Sequence, residues 1–126
     1  MERCGLQIII TSGPEAPRRA ALGFAAAAAA LAAGTAVVVF LALNGARWAF
    51  AGEGEELEMS SFQQISELIE VIQSAGGQIE ICSNCVNGVC DHESTGGTSG
   101  SMRSGVTPAG LTTVAIRMNQ MPTVTF

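Results

Sequence analysis

The longest uncharged segment of the chain changes its composition half-way along. No charged residue occurs between Ala20 and Ala46, and six consecutive alanines lie in the first half. Gly34 interrupts the segment, and a run of β-branched residues begins at Val37. Alanine is the best helix former, glycine commonly ends helices, and valine favours strands. The segment is therefore predicted to form a helix, a turn and a strand.

The same segment has a second interpretation, as a twin-arginine signal or a membrane span, because Arg18-Arg19 precede it. Residues 7–11 read as a strand ahead of these arginines, and Gly34 breaks the run. Four cysteines are also too few for a disulfide-built scaffold and suit a reducing compartment. We therefore expect a cytoplasmic protein that keeps its amino terminus and has no membrane partner.

Strand-like and helix-like patterns alternate along the rest of the chain. The predicted elements are a strand at 6–11, a helix capped by Ser12 and ending near Ala33, a strand at 36–42, a helix carrying Ile65, Leu68, Ile69 and Ile72, a strand at 78–82, a weak strand at Val106, a helix at 109–120 and a strand at 122–126. This alternation predicts an α/β fold in one domain, 1–126, with a mostly parallel sheet of four to five strands.

The charge and the aromatic content exclude one class of partner. The chain has a net charge of −5, contains no tyrosine and has one tryptophan, Trp48. Without a basic stripe or stacking residues, we expect no nucleic-acid partner. Only 13% of the residues are charged, which leaves little polar material for the whole surface and predicts self-association. Trp48 is expected either beside the cysteine site or in a subunit interface.

The strand predicted at 78–82 ends on Cys82, and two further cysteines, Cys85 and Cys90, follow it. The carboxyl ends of strands in α/β folds are where ligands and chemistry are usually placed. A C-x-x-C spacing brings two sulfurs together if the loop turns helically, and a thiolate can hold sulfur as a persulfide. Cys82 is therefore the predicted nucleophile and Cys85 its assisting thiol. Two small residues packing at a strand end remain the alternative.

A zinc site formed by Cys82, Cys85, Cys90 and His92 is a rival interpretation. A second C-x-x-C pair is missing, and the spacing from Cys90 to His92 is irregular. Ser12-Gly13 offers backbone N–H groups near a helix start, but no glycine-rich nucleotide motif accompanies it. We expect no metal and no cofactor, and a structural role for Cys4.

Several short motifs, in their order and spacing, resemble the DsrE/DsrF-like family over nearly the whole chain. They are Ser12-Gly13-Pro14 with Arg18-Arg19-Ala20, Val38-Val39-Phe40 with Asn44-Gly45, Gly76-Gly77 before Cys82-x-x-Cys85, and Gly105-Val106 with Ala109-Gly110-Leu111. The resemblance implies a flavodoxin-like three-layer sandwich and a homo-oligomer, a trimer or hexamer. It also implies sulfur relay between donor and acceptor proteins through a cysteine persulfide.

The resemblance assigns the reactive role to Cys82. In members of the family a loop cysteine often stands eight residues before the glycine of an Arg-Gly pair, and here Val89-Cys90 occupies that place. The first functional hypothesis is thus a sulfur-relay protein, a possible sulfurtransferase, using Cys82 and Cys85. The missing Arg-Gly pair supports an alternative, a non-catalytic oligomeric module of the same fold. A thiol-disulfide or peroxide-reducing protein is the third hypothesis.

Overall fold

The computed structural model describes residues 5–51, 64–85 and 101–126. Their elements are β1 (Leu6–Ile10), α1 (Pro17–Ala32), β2 (Val37–Leu41), a 3₁₀ helix (Leu43–Ala49), α2 (Ile65–Ser74), β3 (Gln78–Cys82), β4 (Val106–Ala109), α3 (Leu111–Met118) and β5 (Thr123–Thr125). The predicted alternation of strands and helices is confirmed. The 3₁₀ helix lies in a segment for which the sequence analysis predicted no element.

The five strands form one parallel sheet in the order β4-β3-β2-β1-β5. The chain steps outward from β1 to β4 and then returns through α3 to the other side of β1. The α/β prediction, with a mostly parallel sheet of four to five strands, is confirmed. The registers Leu41↔Ile81 and Cys82↔Ala109 bring the carboxyl ends of β2, β3 and β4 to one edge of the sheet.

The predicted helix, turn and strand are all present between Ala20 and Leu41. The end of α1 is a Schellman motif, in which Gly34 has a φ of +94° and the Thr35 N–H donates to the Ala30 carbonyl at 2.9 Å. Fully buried alanines, such as Ala20 and Ala27, let α1 pack closely against the sheet. In the ranges that the structure describes, no helix combines the length and apolarity needed to cross a bilayer.

The predicted cap of α1 is wrong, because the helix begins five residues after Ser12. Its N-cap residue is Ala16, which makes no side-chain cap, and Pro17 opens the helix. Residues 13–16 form a turn closed by the Ala16 N–H on the Gly13 carbonyl at 2.9 Å, which separates Ser12 from the helix. The Ser12 hydroxyl is buried and has no hydrogen-bond partner within the described ranges.

Within the described residues, the two faces of the sheet are covered very differently. Helices α1 and α2 share one face, over a large apolar core built from alternate residues of β1, β2 and β3. The other face carries α3, of which only Val114 is buried. Trp48 belongs to the large core, where it is fully buried and its Nε1 donates to the Ser12 carbonyl at 2.8 Å. Its predicted place in a subunit interface is therefore wrong.

Candidate functional site: a cysteine pair at the carboxyl edge of the sheet

Cys82 is the last residue of β3, and residues 83–85 turn helically directly after it. This turn is the local geometry on which the C-x-x-C prediction depended. Side chains alternate along a strand, so Cys82 points to the face covered by α3, where it packs with Phe40 and Val114. Only 3% of Cys82 is exposed, so its thiol is held inside this small cluster.

Cys85 lies one helical turn farther on and is half-buried. It contacts both apolar cores, because it stands at the edge where the sheet ends. Burial raises the pKa of the Cys85 thiol, the N–H of Leu43 lowers it, and a hydrogen bond with Cys82 raises it further. The pair is therefore close enough to interact, and both thiols are reduced.

The backbone of Leu43 completes the surroundings of Cys85. Its N–H donates to the Cys85 Sγ, with a nitrogen–sulfur distance of 3.2 Å. Leu43 follows β2 and has a φ of +54°, in the left-handed region that leucine rarely adopts. Nothing in the sequence signals this donor, because a leucine next to Asn44-Gly45 reads as an ordinary turn residue.

Helix α3 begins at the same edge as the two thiols. Gly110 is its N-cap residue, and Ala109, the register partner of Cys82, packs in the same small cluster. No side chain caps this helix, and no acidic residue lies in its first turn. The amino end of a helix carries partial positive charge, which favours an anionic sulfur nearby.

A buried ion pair attaches α3 to the strand that carries Cys82. Arg117 donates to both carboxylate oxygens of Glu80, at 2.7 and 2.6 Å, and this pairing raises the pKa of Arg117. The Gln7 side-chain oxygen lies 3.4 Å from the same guanidinium. Glu80 precedes Cys82 by two positions, so both side chains lie on one face. Glu80, an acidic residue between Ile79 and Ile81 in a strand, is the sequence signal that could have indicated a buried partner.

The backbone amide suggested as an anion site after β1 is already occupied. The Gly13 N–H donates to both carboxylate oxygens of Glu15, at 3.0 and 3.1 Å. Burial raises the pKa of Glu15, but hydrogen bonds from Gly13, its own N–H and Asn44, with the charge of Arg47, lower it overall. The loop is thus a turn closed by the chain's own carboxylate.

Three residues considered in the sequence lie outside the described ranges: Cys4, Cys90 and His92. Across residues 5–51, 64–85 and 101–126, no cluster of three metal-ligating side chains occurs. The zinc interpretation requires Cys90 and His92, so it is neither supported nor contradicted. Of the predicted site, the structure brings together Cys82 and Cys85.

A profile of the DsrE/DsrF-like family matches residues 6–126. The chain belongs to this family. Among solved structures, the crystal structure of the ychN protein from E. coli superposes with a TM-score of 0.73 at 15% sequence identity. The superposition covers 98% of this chain and 99% of that chain, and at this identity it demonstrates the fold alone. No curated protein matches the sequence significantly.

Membership in the DsrE/DsrF-like family confirms the resemblance derived from the motifs, and the ychN superposition confirms the α/β architecture. In this family member, the two thiols lie at the end of β3, at the edge of the sheet where the carboxyl ends of β2, β3 and β4 meet. The point where the strand order reverses lies elsewhere, between β1 and β5. Reversal points are the usual ligand crevice in open α/β sheets. The position of the cysteine pair is therefore set by the end of β3 and the helical turn after it, and not by the reversal point.

Proposed function

We propose that this protein carries sulfane sulfur as a cysteine persulfide on the pair Cys82 and Cys85, within a sulfur-relay function of the DsrE/DsrF-like type. The single observation that carries the proposal is the pairing of two reduced thiols at one edge of the sheet, one of them open to solvent. A persulfide carrier needs a thiol that a donor can reach. A neighbouring thiol then gives the sulfur a second route out.

The transfer step is a balanced displacement at sulfur. A cysteine thiolate attacks the outer sulfur of a donor persulfide, forming one S–S bond while the donor's S–S bond breaks. The electron pair leaves with the donor thiolate, which takes up a proton. Passing the sulfur on repeats the same step with an acceptor thiolate as the attacking group.

Exposure favours Cys85 as the thiol that meets the donor, because Cys82 is only 3% exposed in this conformation. This order reverses the one that the strand-end argument and the family resemblance gave, in which Cys82 attacks first. Cys82 then acts from inside, where it can attack the Cys85 sulfur and release hydrosulfide. That step leaves a Cys82–Cys85 disulfide and conserves atoms and electrons.

The close approach of the two thiols also favours a second candidate function, thiol-disulfide exchange. In that reaction the pair gives two electrons and two protons to a partner disulfide, which becomes a dithiol. The helical turn at 83–85 provides the spacing for such a bond. Sulfur relay is preferred because the family resemblance implies it.

Intact-protein mass spectrometry separates these functions. One sample of the reduced protein is incubated with a low-molecular-weight persulfide and a second with a small disulfide, and the mass is followed over time. A gain of about 32 Da at early times with the persulfide supports relay, whatever mass follows the release of hydrosulfide. A loss of about 2 Da with the disulfide, with no gain at any time with the persulfide, indicates a redox protein. An unchanged mass under both conditions indicates a non-catalytic module of the same fold. A control variant that lacks Cys82 and Cys85 but keeps Cys4 and Cys90 measures how much of any mass change comes from those two other thiols.

The proposal extends to partners and place of action. Donor and acceptor would be proteins that present a persulfide and a thiol, and the chain would act as a homo-oligomer, a trimer or hexamer. A reducing cytoplasm suits a carrier whose thiols must stay free between transfers. Pull-down of persulfide-bearing proteins with a trapped mixed disulfide at Cys85 would identify the donor.

A further inference from the structure

We propose that Leu43 is a positioning residue for Cys85, whose backbone N–H holds the Cys85 sulfur and stabilises its ionised form. The role of this thiolate in sulfur relay rests on the proposed function, but the hydrogen bond and its effect on Cys85 do not. The hydrogen bond itself can be tested without any sulfur donor. Leu43, which has no reactive side chain, thereby helps to prepare the Cys85 thiol for reaction.

The contact is short and directed. The nitrogen–sulfur distance of 3.2 Å is within range for a hydrogen bond to sulfur. A backbone N–H that points at sulfur favours thiolate over thiol, because the charged form accepts the stronger hydrogen bond. Burial and the neighbouring Cys82 act in the opposite direction on Cys85. The hydrogen bond from the Leu43 N–H lowers the pKa of the Cys85 thiol.

The conformation of Leu43 is unusual for its residue type. Among the residues that the structure describes, it is the only non-glycine residue with a positive φ. A left-handed leucine is strained, and such strain persists only where the surroundings impose it. The side chain of Leu43 is 67% exposed, so packing of that side chain does not explain the strain.

The flanking residues impose the conformation from both sides. The Ala42 N–H donates to the Ile10 carbonyl at 3.0 Å, and the Gly45 N–H donates to the Thr11 and Ala42 carbonyls at 3.1 and 2.9 Å. A Cβ on Gly45 would lie 2.1 Å from the Ile10 carbonyl oxygen, so this close approach requires glycine. Ala42 and Gly45, on either side of Leu43 and Asn44, are thus held to the end of β1 and the residue after it, and in this arrangement the Leu43 N–H faces Cys85.

The test measures alkylation of Cys85 by iodoacetamide across pH, read by peptide mass spectrometry on the full chain. Replacing Leu43 by its α-hydroxy analogue, leucic acid, changes the N–H to an ester oxygen and keeps the side chain. We expect alkylation below the thiol's midpoint to slow by about tenfold and the pH profile to move upward. The control changes the backbone N–H of Asn44 to an ester oxygen and keeps the asparagine side chain, because the N–H that bonds to Cys85 is that of Leu43.

Two genetic variants test the same bond without an ester. Leu43→Gly keeps the N–H and accepts a positive φ, so the alkylation profile should match the parent. Leu43→Val keeps an apolar side chain, but β-branching disfavours the left-handed region, so alkylation should slow. Native protection of Cys82 from alkylation reports that each variant is folded. If the ester variant is unfolded, the comparison of Leu43→Gly with Leu43→Val tests the proposal.

The proposal is overturned if the ester variant keeps the parent profile, or if Leu43→Gly slows alkylation as much as Leu43→Val. Failure of sulfur relay would look different. In that case the parent gains no sulfur mass from a persulfide donor, while the alkylation profiles of the Leu43 variants still differ as expected. The two inferences therefore fail independently.

Discussion

At the residue scale, the two thiols differ in their access to solvent. Cys82 is enclosed by Phe40 and Val114, whereas Cys85 stands at the edge of both cores. Burial raises the pKa of Cys85, so the thiolate forms less readily at neutral pH than it does in a free cysteine. Cys85 is therefore accessible but mostly protonated at neutral pH, whereas Cys82 is shielded from solvent.

Cys85→Ser should abolish sulfur loading, because it removes the thiol that a donor can reach. Cys82→Ser should still load sulfur but should lose release of hydrosulfide, because no inner thiol remains to displace it. Intact mass and a hydrosulfide assay measure the two steps, and circular dichroism checks the fold. If Cys82→Ser fails to load while Cys85→Ser loads, the order derived from the strand end is correct.

Sulfur loading of the parent should become faster as the pH rises. The thiolate is the attacking species, and the pKa of Cys85 lies above the ordinary 9.0, so its ionised fraction still increases through that value. Initial loading rates between about pH 7 and about pH 9.5 measure this dependence. A rate that levels off near neutral pH would contradict the assignment of loading to Cys85.

At the element scale, α3 is attached to the sheet largely by polar contacts, the ion pair of Arg117 with Glu80 and the Gln7 Nε2 that donates to the Val114 carbonyl at 3.3 Å. Val114 is its only buried residue, so apolar burial contributes little to holding the helix on the sheet. The bidentate pair of Arg117 and Glu80 supplies a directional contact, with side-chain exposures of 16% and 11%. The ion pair thus holds to the sheet the helix whose start borders Cys82.

Glu80→Gln should lower the free energy of unfolding by about 2 kcal/mol, because it leaves a largely buried guanidinium without its counter-charge. Urea unfolding at neutral pH measures the change, and Glu70→Gln on the exposed side of α2 is the matched control. The double variant Glu80→Met/Arg117→Met should recover much of the loss, since it removes both buried charges. Additive losses in the double variant would argue against the pairing.

The turn before α1 should give a pH-dependent contribution to stability. The pKa of Glu15 lies below the ordinary 4.5, so its stabilising effect is complete above that value and is lost as the pH falls through the lower, folded pKa. Glu15→Gln should therefore be less stable than the parent at pH 7. The difference should stay below about 1 kcal/mol, because the side chain is exposed, and should shrink towards about pH 3. Urea unfolding at both pH values tests the sign.

At the scale of the whole molecule, α3 presents three exposed apolar side chains. Leu111, Ile116 and Met118 are each more than half exposed. Among the described residues, the face of the sheet that carries α3 also has the thinner cover. Together with the family resemblance, this distribution favours the α3 side as the surface of self-association.

Light scattering should give a mass that is a multiple of the 12.9 kDa chain, with three or six copies expected. Ile116→Arg should shift the protein towards the monomer, because a charge on the α3 surface opposes apolar contact. Leu22→Arg is the matched control, since Leu22 is 49% exposed on α1 and lies on the other side of the sheet. A monomeric parent at micromolar concentration would contradict the prediction of self-association.

The sequence determined the elements and their order, because these depend on local periodicity and on helix-ending glycines. The strand Gln78–Cys82 and the Gly34 turn were predictable at this level, and so was the pairing of Cys82 with Cys85 by spacing. The tertiary structure alone decided which thiol is reachable, because burial depends on what α3 covers. It also decided the Arg117–Glu80 contact and the Leu43 N–H on Cys85, since both join residues that are distant in sequence. Such contacts follow from strand order and loop closure, which no local pattern encodes.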